Sequence, residues 1–449
     1  MLKLNIRVTP NNSSQNEPSI AVNLLNPDTL IATANDYRLG PSRFGLYRST
    51  NQGKSWTNNI LPLPAGLTNG GDGIVNWGGQ NFFLVSGLTF NRNATGQAID
   101  GTIVVYRSTD NGVTFSNPII VNQGNGTAEF NDKNYSIIDN SSKSPFKGRV
   151  YLSYTQFTNN SSNTQILFHT STDGGLTWSA PIPITAVISG NTFVHGTNIT
   201  VGQNGDVYVA WIEREAFQVG NAAFFRVRRS TDGGVTFGPI VTVSSFIAPP
   251  VNLISNVQNW QFRTPTFAFL GSDLSKSPFT GRVYAVWNDY TSGNLHIVSS
   301  HSNDGVNWST PVRVDSRSPE NTQNFFPFPV VDPSNGKIKV VYYTNRISGA
   351  TELDVFVSES SNGGVSFSTN NRISDQSFNP NTAEFQNPAT GNTTFIGDYI
   401  FAASLPHNKL VTVWTDTRTG NQDIFANIQS SPPPPKPKPK PKPKPKPKP

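Results

Sequence analysis

Cysteine is absent from this chain of 449 residues, and methionine occurs only once. The lack of cysteine excludes disulfide bonds, thiolate metal ligands and cysteine nucleophiles together. Histidine is also scarce, and no two of the histidines have the paired spacing that is typical of a zinc site. They are His169, His195, His296, His301 and His407. No glycine-rich phosphate loop is evident either, so we expect neither a metal ion nor another cofactor.

Long apolar runs are missing as well. The chain opens on a strand-like segment, without the about 7 to 15 apolar residues that a secretory signal places after its N-terminal charge. No stretch has the length and apolarity of a transmembrane helix, so we expect no membrane insertion. The compartment stays open, and display at a cell surface or outside the cell by another route remains an alternative.

Sustained helical periodicity is a third absence. Instead, short runs rich in valine, isoleucine, tyrosine and tryptophan are separated by glycine, asparagine, aspartate and proline, which is typical of β-strands joined by turns. The composition agrees, since 11% aromatic residues and 37 glycines suit an all-β repeat protein. The predicted fold class is all-β.

Excess charge is confined to one end of the chain. The formal net charge is +6, but seven lysines alternate with proline between Lys436 and Lys448. Without these seven, 27 basic and 28 acidic residues remain, so the rest of the chain carries a charge of −1. Because that part is not basic and the tail lacks aromatic residues for stacking on bases, we expect no specific nucleic-acid ligand.

The alternating tail spans residues 432–449 and begins with four prolines. Proline removes backbone donors and favours an extended polyproline-II rod of about 3.1 Å per residue, so we expect a stiff, exposed and disordered tail. A spacer or surface tether is the first interpretation. Adhesion to an anionic polymer, such as wall teichoic acid or an acidic polysaccharide, is the second, and no defined role is the third.

One eight-residue signature recurs six times in the remaining chain. It reads Ser-x-Asp/Asn-x-Gly-x-x-Trp/Phe, with one departure in the fifth copy. The copies span residues 49–56, 108–115, 171–178, 230–237, 301–308 and 360–367. They start 59, 63, 59, 71 and 59 residues apart, and self-similarity at such a period predicts a repeat architecture.

The residue types of the signature suit a tight turn between two strands. A serine and an Asp or Asn can hydrogen-bond the turn backbone, while glycine tolerates positive φ. The signature resembles the Asp-box, or bacterial neuraminidase repeat, of sialidase-superfamily β-propellers. That resemblance implies a structural role, on the face away from any ligand, for Asn51, Asp110, Asp173, Asp232, Asn303 and Asn362. In the fifth copy His301 and Asn303 replace Ser and Asp. We still expect a turn there, but the sequence does not predict which side-chain hydrogen bonds hold it.

The number of blades follows from the period. Sialidases of this superfamily have six blades, but the mean step of 62.2 residues divides the first 431 residues 6.9 times. After the sixth signature we expect three strands, around Phe395–Ala402, Leu410–Trp414 and Asp423–Ile428, so the last blade lacks its outer strand. The alternating segment Leu2–Val8 can supply it.

We therefore predict a seven-bladed β-propeller of four-stranded antiparallel blades over residues 1–431. The N-terminal strand closes the ring by joining the three C-terminal strands in a three-plus-one last blade. Closure hides the strand edges that an open array would leave available for aggregation.

In this topology, a ligand site is expected where the innermost strands start and the second strands end, around the central channel. A polar ring of mixed charge there suits a hydroxyl-rich ligand such as a glycan. For each charged residue, pairing across neighbouring blades or lining a wet channel is the alternative. The innermost-strand candidates are Glu17, Asp72, Asp132, Lys133, His195, Arg263 and Asp398, and the second-strand candidates are Tyr37, Arg38, Glu213, Asp289, Arg346, Asp416 and Arg418.

Three function classes are compatible with such a site. The first is recognition of a carbohydrate or surface glycoconjugate by a lectin-like or adhesive propeller, an inference by analogy of fold. The second is a glycoside hydrolase, sialidase-like or of another polysaccharide-cleaving type. The third is a protein-interaction scaffold, with the same face gripping a partner.

A sialidase would need an arginine triad, a tyrosine nucleophile assisted by Glu, and an Asp acid/base, as the resemblance implies. Here the Phe/Tyr-Arg-Ile-Pro motif expected before the first signature is missing, and residues 16–20 read Asn-Glu-Pro-Ser-Ile. No catalytic residue is assigned from the sequence. The side chains available for these roles are Arg38, Arg263, Arg346 and Arg418 with Tyr37, Tyr290 and Tyr399.

Overall fold

The computed structural model of the protein describes residues 4–215, 222–249, 260, 262–316, 318–319, 321–382, 385–387, 391–393 and 395–429. Across this part the chain is all-β and has no helix. Seven antiparallel four-stranded sheets, one of them with a short fifth strand, are arranged as the blades of a seven-bladed β-propeller, which confirms the predicted fold. The tail predicted for residues 432–449 lies outside the described residues.

The first three full blades follow a short opening strand, and each is built from consecutive strands. The strands are β1 (Ile6–Arg7); β2 (Gln15–Val22), β3 (Leu30–Asp36), β4 (Arg43–Ser49) and β5 (Thr57–Ile60) in blade 1; β6 (Asn69–Trp77), β7 (Phe83–Arg92), β8 (Ala98–Ser108) and β9 (Ile119–Asn122) in blade 2; and β10 (Glu129–Ile138), β11 (Val150–Thr158), β12 (Asn163–Ser171), β13 (Ile182–Pro183) and β14 (Ile188–Ser189) in blade 3.

The remaining blades repeat this order, with the first strand of each nearest the central channel. Blade 4 contains β15 (Thr192–Val201), β16 (Val207–Glu215), β17 (Ala222–Ser230) and β18 (Val241–Ile247), and blade 5 contains β19 (Phe269–Ser272), β20 (Val283–Asp289), β21 (His296–Ser302) and β22 (Val312–Arg313). Blade 6 contains β23 (Asn324–Val331), β24 (Ile338–Thr344), β25 (Asp354–Ser360) and β26 (Thr369–Arg372), and a separate hairpin of β27 (Phe385–Asn387) and β28 (Gly391–Thr393) follows it. Blade 7 contains β29 (Phe401–Leu405), β30 (Lys409–Asp416) and β31 (Asp423–Ile428).

Blade 7 is completed by the N-terminal strand, as predicted. Strand β1 pairs antiparallel with β31, and its neighbour Val8 donates a backbone hydrogen bond to the Ile424 carbonyl at 2.7 Å. The Arg7 guanidinium lies 2.8 Å from the carboxylate of the buried Asp423. One prediction was too early in the chain: the innermost strand of this blade is Phe401–Leu405, not Phe395–Ala402. Gly397 has a φ of 86°, which interrupts the extended backbone ahead of it.

Each signature forms the turn between the third and fourth strands of its blade. In the second copy, Ser108 Oγ donates to Asp110 Oδ1 at 2.8 Å and accepts from the Gly112 backbone at 2.9 Å. The Asp110 carboxylate also accepts the Thr114 backbone amide at 3.0 Å. Copies one, three, four and six make the corresponding contacts through Asn51, Asp173, Asp232 and Asn362. The turn backbone is thus held by side chains of the turn itself.

The fifth turn corrects the prediction for Asn303. There Ser302 Oγ donates to Asp304 Oδ1 at 2.9 Å, and the Gly305 amide donates to Ser302 Oγ at 2.8 Å. Here the glycine is the third residue after the serine, whereas in the other turns it is the fourth, so the serine and the acid each lie one residue later than predicted. Asn303 instead accepts a hydrogen bond from Arg282 Nε at 3.0 Å.

Arginines connect each of several blades to the next. Each guanidinium donates to a backbone carbonyl in the signature turn of the next blade, at 2.6 Å in three cases. These are Arg107 to Gly174, Arg149 to Gly233 and Arg282 to Gly363. The last two arginines belong to the two near-identical segments 142–151 and 275–284. The sequence echo therefore corresponds to a repeated contact between blades.

Among the described residues there is no helix with the length and apolarity to cross a lipid bilayer.

Ring closure can be tested by removing residues 2–8. Because the buried Asp423 then loses its guanidinium partner and the edge of β31 is uncovered, we expect unfolding in urea to show a loss of about 3–5 kcal/mol, with aggregation of the truncated protein. Removal of residues 432–449 is the control and should leave the urea midpoint unchanged. Equal midpoints for both truncations would contradict the role given to β1.

Candidate functional site

A β-bulge recurs at the same place in five of the innermost strands. The register between the first and second strands shifts there in blades 1, 2, 3, 4 and 6. One residue of each bulge has a positive φ, namely Glu17 (53°), Asp72 (56°), Lys133 (49°), Gly196 (69°) and Phe326 (50°). Positive φ is uncommon outside glycine, and bulges re-aim side chains next to functional sites. Three of the predicted site residues therefore lie at strained positions.

The ammonium group of Lys133 is the centre of an ionic cluster drawn from four blades. Its Nζ lies 2.7 Å from Asp398 Oδ2 and 3.3 Å from both Glu17 Oε1 and Asp72 Oδ2. The Lys133 side chain also lies over two aromatic rings, 5.2 Å from the Tyr399 centroid and 5.4 Å from that of Phe267. A buried cation is thus compensated by charges and by ring faces together.

Blades 7 and 1 approach each other closely at this cluster. A Cβ atom at Gly397 would lie 2.9 Å from the Glu17 backbone nitrogen and 2.7 Å from its Cγ. Glycine is needed at residue 397 for this approach as well as for its positive φ. The closure of the ring therefore brings Glu17 of blade 1 next to Asp398 of blade 7.

A second, more exposed layer lies over the buried cluster. Arg263 binds Asp398 in a bidentate manner, with Nε to Oδ1 at 2.7 Å and Nη2 to Oδ2 at 2.6 Å. Its guanidinium stacks 5.0 Å from the Phe395 ring centroid. The Arg263 side chain is 44% exposed while that of Asp398 is 1% exposed, so a buried carboxylate holds a guanidinium that faces the channel mouth.

His195 and Asp132 belong to the same exposed layer. Their closest atoms, Nε2 and Oδ2, are 3.9 Å apart. The imidazole lies between the rings of Phe157 and Phe267, with centroid distances of 5.6 Å to each. Burial alone would raise the pKa of Asp132, but the contact with His195 and the charge of Lys133 lower it below its ordinary value. Asp132 is therefore an ionised acceptor at the mouth.

The cluster separates the pKa values of two carboxyl groups. Burial and the charge of Asp72 raise the pKa of Glu17 well above its ordinary value. Burial opposes ionisation of Asp398 too, but the charges of Arg263 and Lys133 lower its pKa below the ordinary range. Glu17 thus favours the protonated form and Asp398 the ionised form, a division that is typical of acid and base roles.

Charges at the mouth nearly cancel. Three aspartates face one ammonium and one guanidinium group, which leaves a net charge of −1 in the protonated form of Glu17 that its raised pKa favours. A near-neutral mouth gives no long-range attraction to a strongly anionic ligand.

Most of the second-strand candidates do not join this cluster. Arg38 pairs with Asp36 at 2.5 Å, and Glu213 pairs with Arg226 at 2.9 Å, both within one blade. Asp289 accepts the backbone amide of its own turn at Thr291.

Two more second-strand candidates have partners away from the cluster, and one of them, Arg418, also pairs with Asp375, which follows β26 of blade 6. Asp416 binds Arg418 at 2.7 Å, and Arg346 donates to the Tyr342 hydroxyl at 2.9 Å. Of the four arginines available for a sialidase triad, only Arg263 reaches the cluster, so these arginines do not converge.

Tyr37 is the exception among the second-strand candidates. Burial, and then the charges of Glu17 and Asp72, raise the pKa of its phenol, so it lies beside the cluster. Tyr399 also lies beside the cluster. Burial, and then the charges of Asp72 and Glu17, raise the pKa of its phenol well above the ordinary value.

The sequence reasoning missed the aromatic residues of the site. Phe157, Phe267 and Phe395 were not among the predicted site residues, although Phe267 lies only four residues after Arg263. The sequence could have indicated these phenylalanines only through their proximity to the charged site candidates. That indication is weak in a chain with 29 phenylalanines.

Within the described part of the chain, no group of three or more His, Asp or Glu side chains is arranged to hold a metal ion.

Comparison with known proteins gives a fold but no family. No family model matches the chain, and no curated protein matches it significantly. Solved structures do match. A protein of unknown function from Dyadobacter fermentans is 16% identical at a TM-score of 0.50, over 80% of this chain and 98% of its own.

Two other matches are named as carbohydrate-active proteins. An ulvan lyase, a polysaccharide lyase, is 11% identical at a TM-score of 0.50 and covers 92% of this chain and 94% of its own. An α-L-arabinanase from Penicillium chrysogenum is 16% identical at a TM-score of 0.47, over 96% of this chain and 98% of its own. At such identities the likeness shows the propeller fold alone.

The buried ion cluster makes a prediction about stability. The substitution Asp398→Asn leaves Lys133 and Arg263 without their shared carboxylate. We therefore expect the free energy of unfolding at pH 7 to fall by about 3–5 kcal/mol. Since the native pKa of Asp398 is lowered, its stabilisation is present above the ordinary value of about 3.9 and is lost as pH falls.

Urea unfolding at pH 7 and at pH 3 measures the free energy of unfolding. The difference in this free energy between Asp398→Asn and wild type should be smaller at pH 3 than at pH 7. Asp289→Asn, at the half-buried end of β20 and outside the cluster, is the matched control and should change little. A constant difference at both pH values would show that the Asp398 carboxylate is not the ionised partner.

Proposed function

We propose that the channel mouth of this propeller binds a neutral, hydroxyl-rich glycan in a lectin-like manner. The observation that carries the proposal is the layer of Arg263, Phe395, Asp132 and His195, held in place above the buried Lys133 cluster. This layer combines donors, an acceptor and ring faces on one side of the fold.

Each group in the layer has a matching feature in a sugar. A guanidinium has five donors, and the two bonds of Arg263 to Asp398 use only Nε and one hydrogen of Nη2, so donors remain for hydroxyl oxygens. Asp132 accepts from a sugar hydroxyl while it is ionised. The rings of Phe395 and Phe157 supply apolar faces against which a pyranose can stack.

Electrostatics favours a neutral glycan over an acidic one. The cations of the mouth are already paired with buried carboxylates, and the net charge is close to zero. A carboxylated sugar such as a sialoside would need several unpaired cations to offset its desolvation. The fold shared with a polysaccharide lyase supports a sugar ligand but not its neutral charge, because that lyase is named as bound to the acidic saccharide GlcA(1-4)Rha3S. In this proposal the tail over residues 432–449 is a spacer or an adhesive segment, as inferred from its composition.

Binding can be measured on an array of neutral and acidic oligosaccharides and then by calorimetry. We expect saturable binding of a neutral glycan, weakened about tenfold or more by Arg263→Met, because a charge-assisted donor is lost. Arg313→Met is the matched control. Like Arg263, Arg313 is partly exposed, at 42%, and pairs with a buried carboxylate, that of Asp315, but it lies on the outer strand of blade 5.

Exclusive binding of sialosides would contradict the proposed ligand class. Absence of any glycan binding, with capture of a single protein partner, would instead support the scaffold function.

Glycoside hydrolysis is the second candidate, favoured by the separated pKa values of Glu17 and Asp398. Lys133 Nζ contacts both carboxyl groups, at 3.3 and 2.7 Å, so their facing oxygens are closer than the about 6.5 Å minimum of inverting glycosidases. Glu17 is only 2% exposed, however, and a substrate reaches it only if Lys133 moves. For this reason binding ranks first.

Release of nitrophenol from aryl glycosides tests the second candidate. If the wild type turns over, Glu17→Gln should lower kcat/KM by about 10²- to 10⁴-fold, the contribution of a general acid. Glu213→Gln, which alters a carboxylate paired within blade 4, should leave the rate unchanged. Turnover that survives Glu17→Gln would exclude this residue as the acid.

A further inference from the structure

Three blades carry an arginine two residues after the end of their second strand. Strands β3, β24 and β30 end at Asp36, Thr344 and Asp416, and the arginines are Arg38, Arg346 and Arg418. In each turn the backbone amide of the arginine donates to the side chain of the last strand residue, at 3.0, 3.2 and 2.9 Å respectively. The three turns are therefore built alike, and the surroundings of their guanidinium groups can be compared directly.

The arginines of blades 1 and 7 are neutralised by the protein itself. Arg38 donates from Nε to Asp36 Oδ2 at 3.0 Å. Arg418 donates from Nε and Nη2 to the two carboxylate oxygens of Asp416, at 3.0 and 2.7 Å. Arg418 also pairs with Asp375, in the segment that follows the outer strand of blade 6. Each of these guanidinium groups thus has at least one carboxylate partner.

Around Arg346, hydroxyl groups occupy the positions at which Arg418 has carboxylates. Thr344 replaces the aspartate at the end of the strand, and its Oγ1 lies 3.4 Å from Arg346 Nε. Ser318, in the segment after the outer strand of blade 5, accepts from Nη2 at 2.5 Å. The Tyr342 hydroxyl accepts from the same nitrogen at 2.9 Å. Among the described residues, no carboxylate pairs with Arg346.

Neighbouring carboxylates already have cations of their own. Asp354, which lies opposite the end of β24 in the sheet, pairs with Arg372 at 2.6 Å. Asp315, in the segment between blades 5 and 6, pairs with Arg313 at 3.1 Å. Three guanidinium groups and two carboxylates therefore meet around this junction of blades, and the charge left without a partner is that of Arg346.

We propose that Arg346 and Ser318 form a binding site for the carboxylate group of a small organic acid. Arg346 is half-buried, its Nη1 has no partner among the described residues and reaches solvent, and the adjacent Ile347 is 50% exposed. The two N–H donors of Nη1 are therefore open to a ligand. The hydroxyl of Ser318, which is also half-buried, makes only a long bond of 3.4 Å to Asn324 and can turn to donate to the same ligand.

A carboxylate suits this site better than a phosphate group does. One unpaired guanidinium offsets one negative charge, whereas a phosphate monoester carries about −1.5 to −2 at pH 7. Its second charge would be repelled by Asp315 and Asp354. The ring of Phe356 lies behind the guanidinium, with its centroid 4.4 Å from the central carbon, so water is excluded from one side and the ion pair with a ligand is strengthened.

This site is separate from the proposed glycan site. The contacts of Arg346 lie in blade 6 and in the segment that joins blades 5 and 6, and none of them involves the layer of Arg263, Phe395, Asp132 and His195. The inference therefore stands whether or not the mouth binds a glycan, and the two proposals fail in different experiments.

Acetate is the probe for this site, and its binding is read from the urea midpoint of the full chain. A ligand that binds only the folded state raises the midpoint in a saturable manner. Acetate replaces chloride at constant ionic strength and pH 7. We expect half-saturation at about 1–10 mM, since a single ion pair with hydroxyl donors gives an affinity in the millimolar range.

Two variants and one matched control complete the experiment. Arg346→Met removes the cation, and Thr344→Asp gives it the internal carboxylate that blades 1 and 7 have, so each should weaken acetate binding by at least about tenfold. Arg38→Met removes an arginine of the same turn type whose charge is already paired, and it should leave the half-saturation unchanged. If one of the two site variants fails to fold, the other carries the test.

Three results would overturn the proposal. The first is a wild-type midpoint that shows no saturable response to acetate. The second is an equal response in wild type and folded Arg346→Met, which would show a general effect of the salt on the protein surface. The third is tighter binding of inorganic phosphate than of acetate, which would assign the site to an anion of higher charge.

Discussion

Closure of the ring by β1 on β31 is the contact on which both the fold and the candidate site depend. A repeat array with free ends would expose strand edges, and the pairing of Val8 with Ile424 and of Arg7 with Asp423 covers them. The same closure makes the first and last blades neighbours. Only then do Glu17 and Asp398 meet at the Lys133 ammonium group, because they lie 381 residues apart in sequence.

Contacts between blades then set the geometry of the channel. At the outer ends, arginines such as Arg149 and Arg282 donate to carbonyls of the next signature turn. At the axis, bulges with positive φ direct Glu17, Asp72 and Lys133 toward one point. Strained backbone of this kind persists only where the surroundings determine it, and here opposite charges and two ring faces provide that support. The strain and the ion cluster are therefore parts of one arrangement.

The two ends of the channel differ in chemistry because the innermost strands change character along their length. The bulges of the first three innermost strands carry charged residues, whereas the later residues of these strands are mostly apolar or small, as in the pair Asp72 and Val75 of β6. A polar mouth and an apolar chamber follow, separated by Phe401 and its aromatic neighbours. The fold thus supplies two environments of opposite polarity along one channel.

From the sequence alone, the signature period determined the all-β class, the seven blades and the closing strand, since turns and strands are set by local residue patterns. It also placed Glu17, Lys133, Arg263 and Asp398 at the channel. Only the tertiary structure decided that these four converge while Arg346 and Arg418 pair away from the cluster, and that Asp304 rather than Asn303 holds the fifth turn. Distances between blades, the direction in which a bulge turns a side chain and the resulting pKa shifts arise from packing across the ring, and no spacing along the chain encodes them.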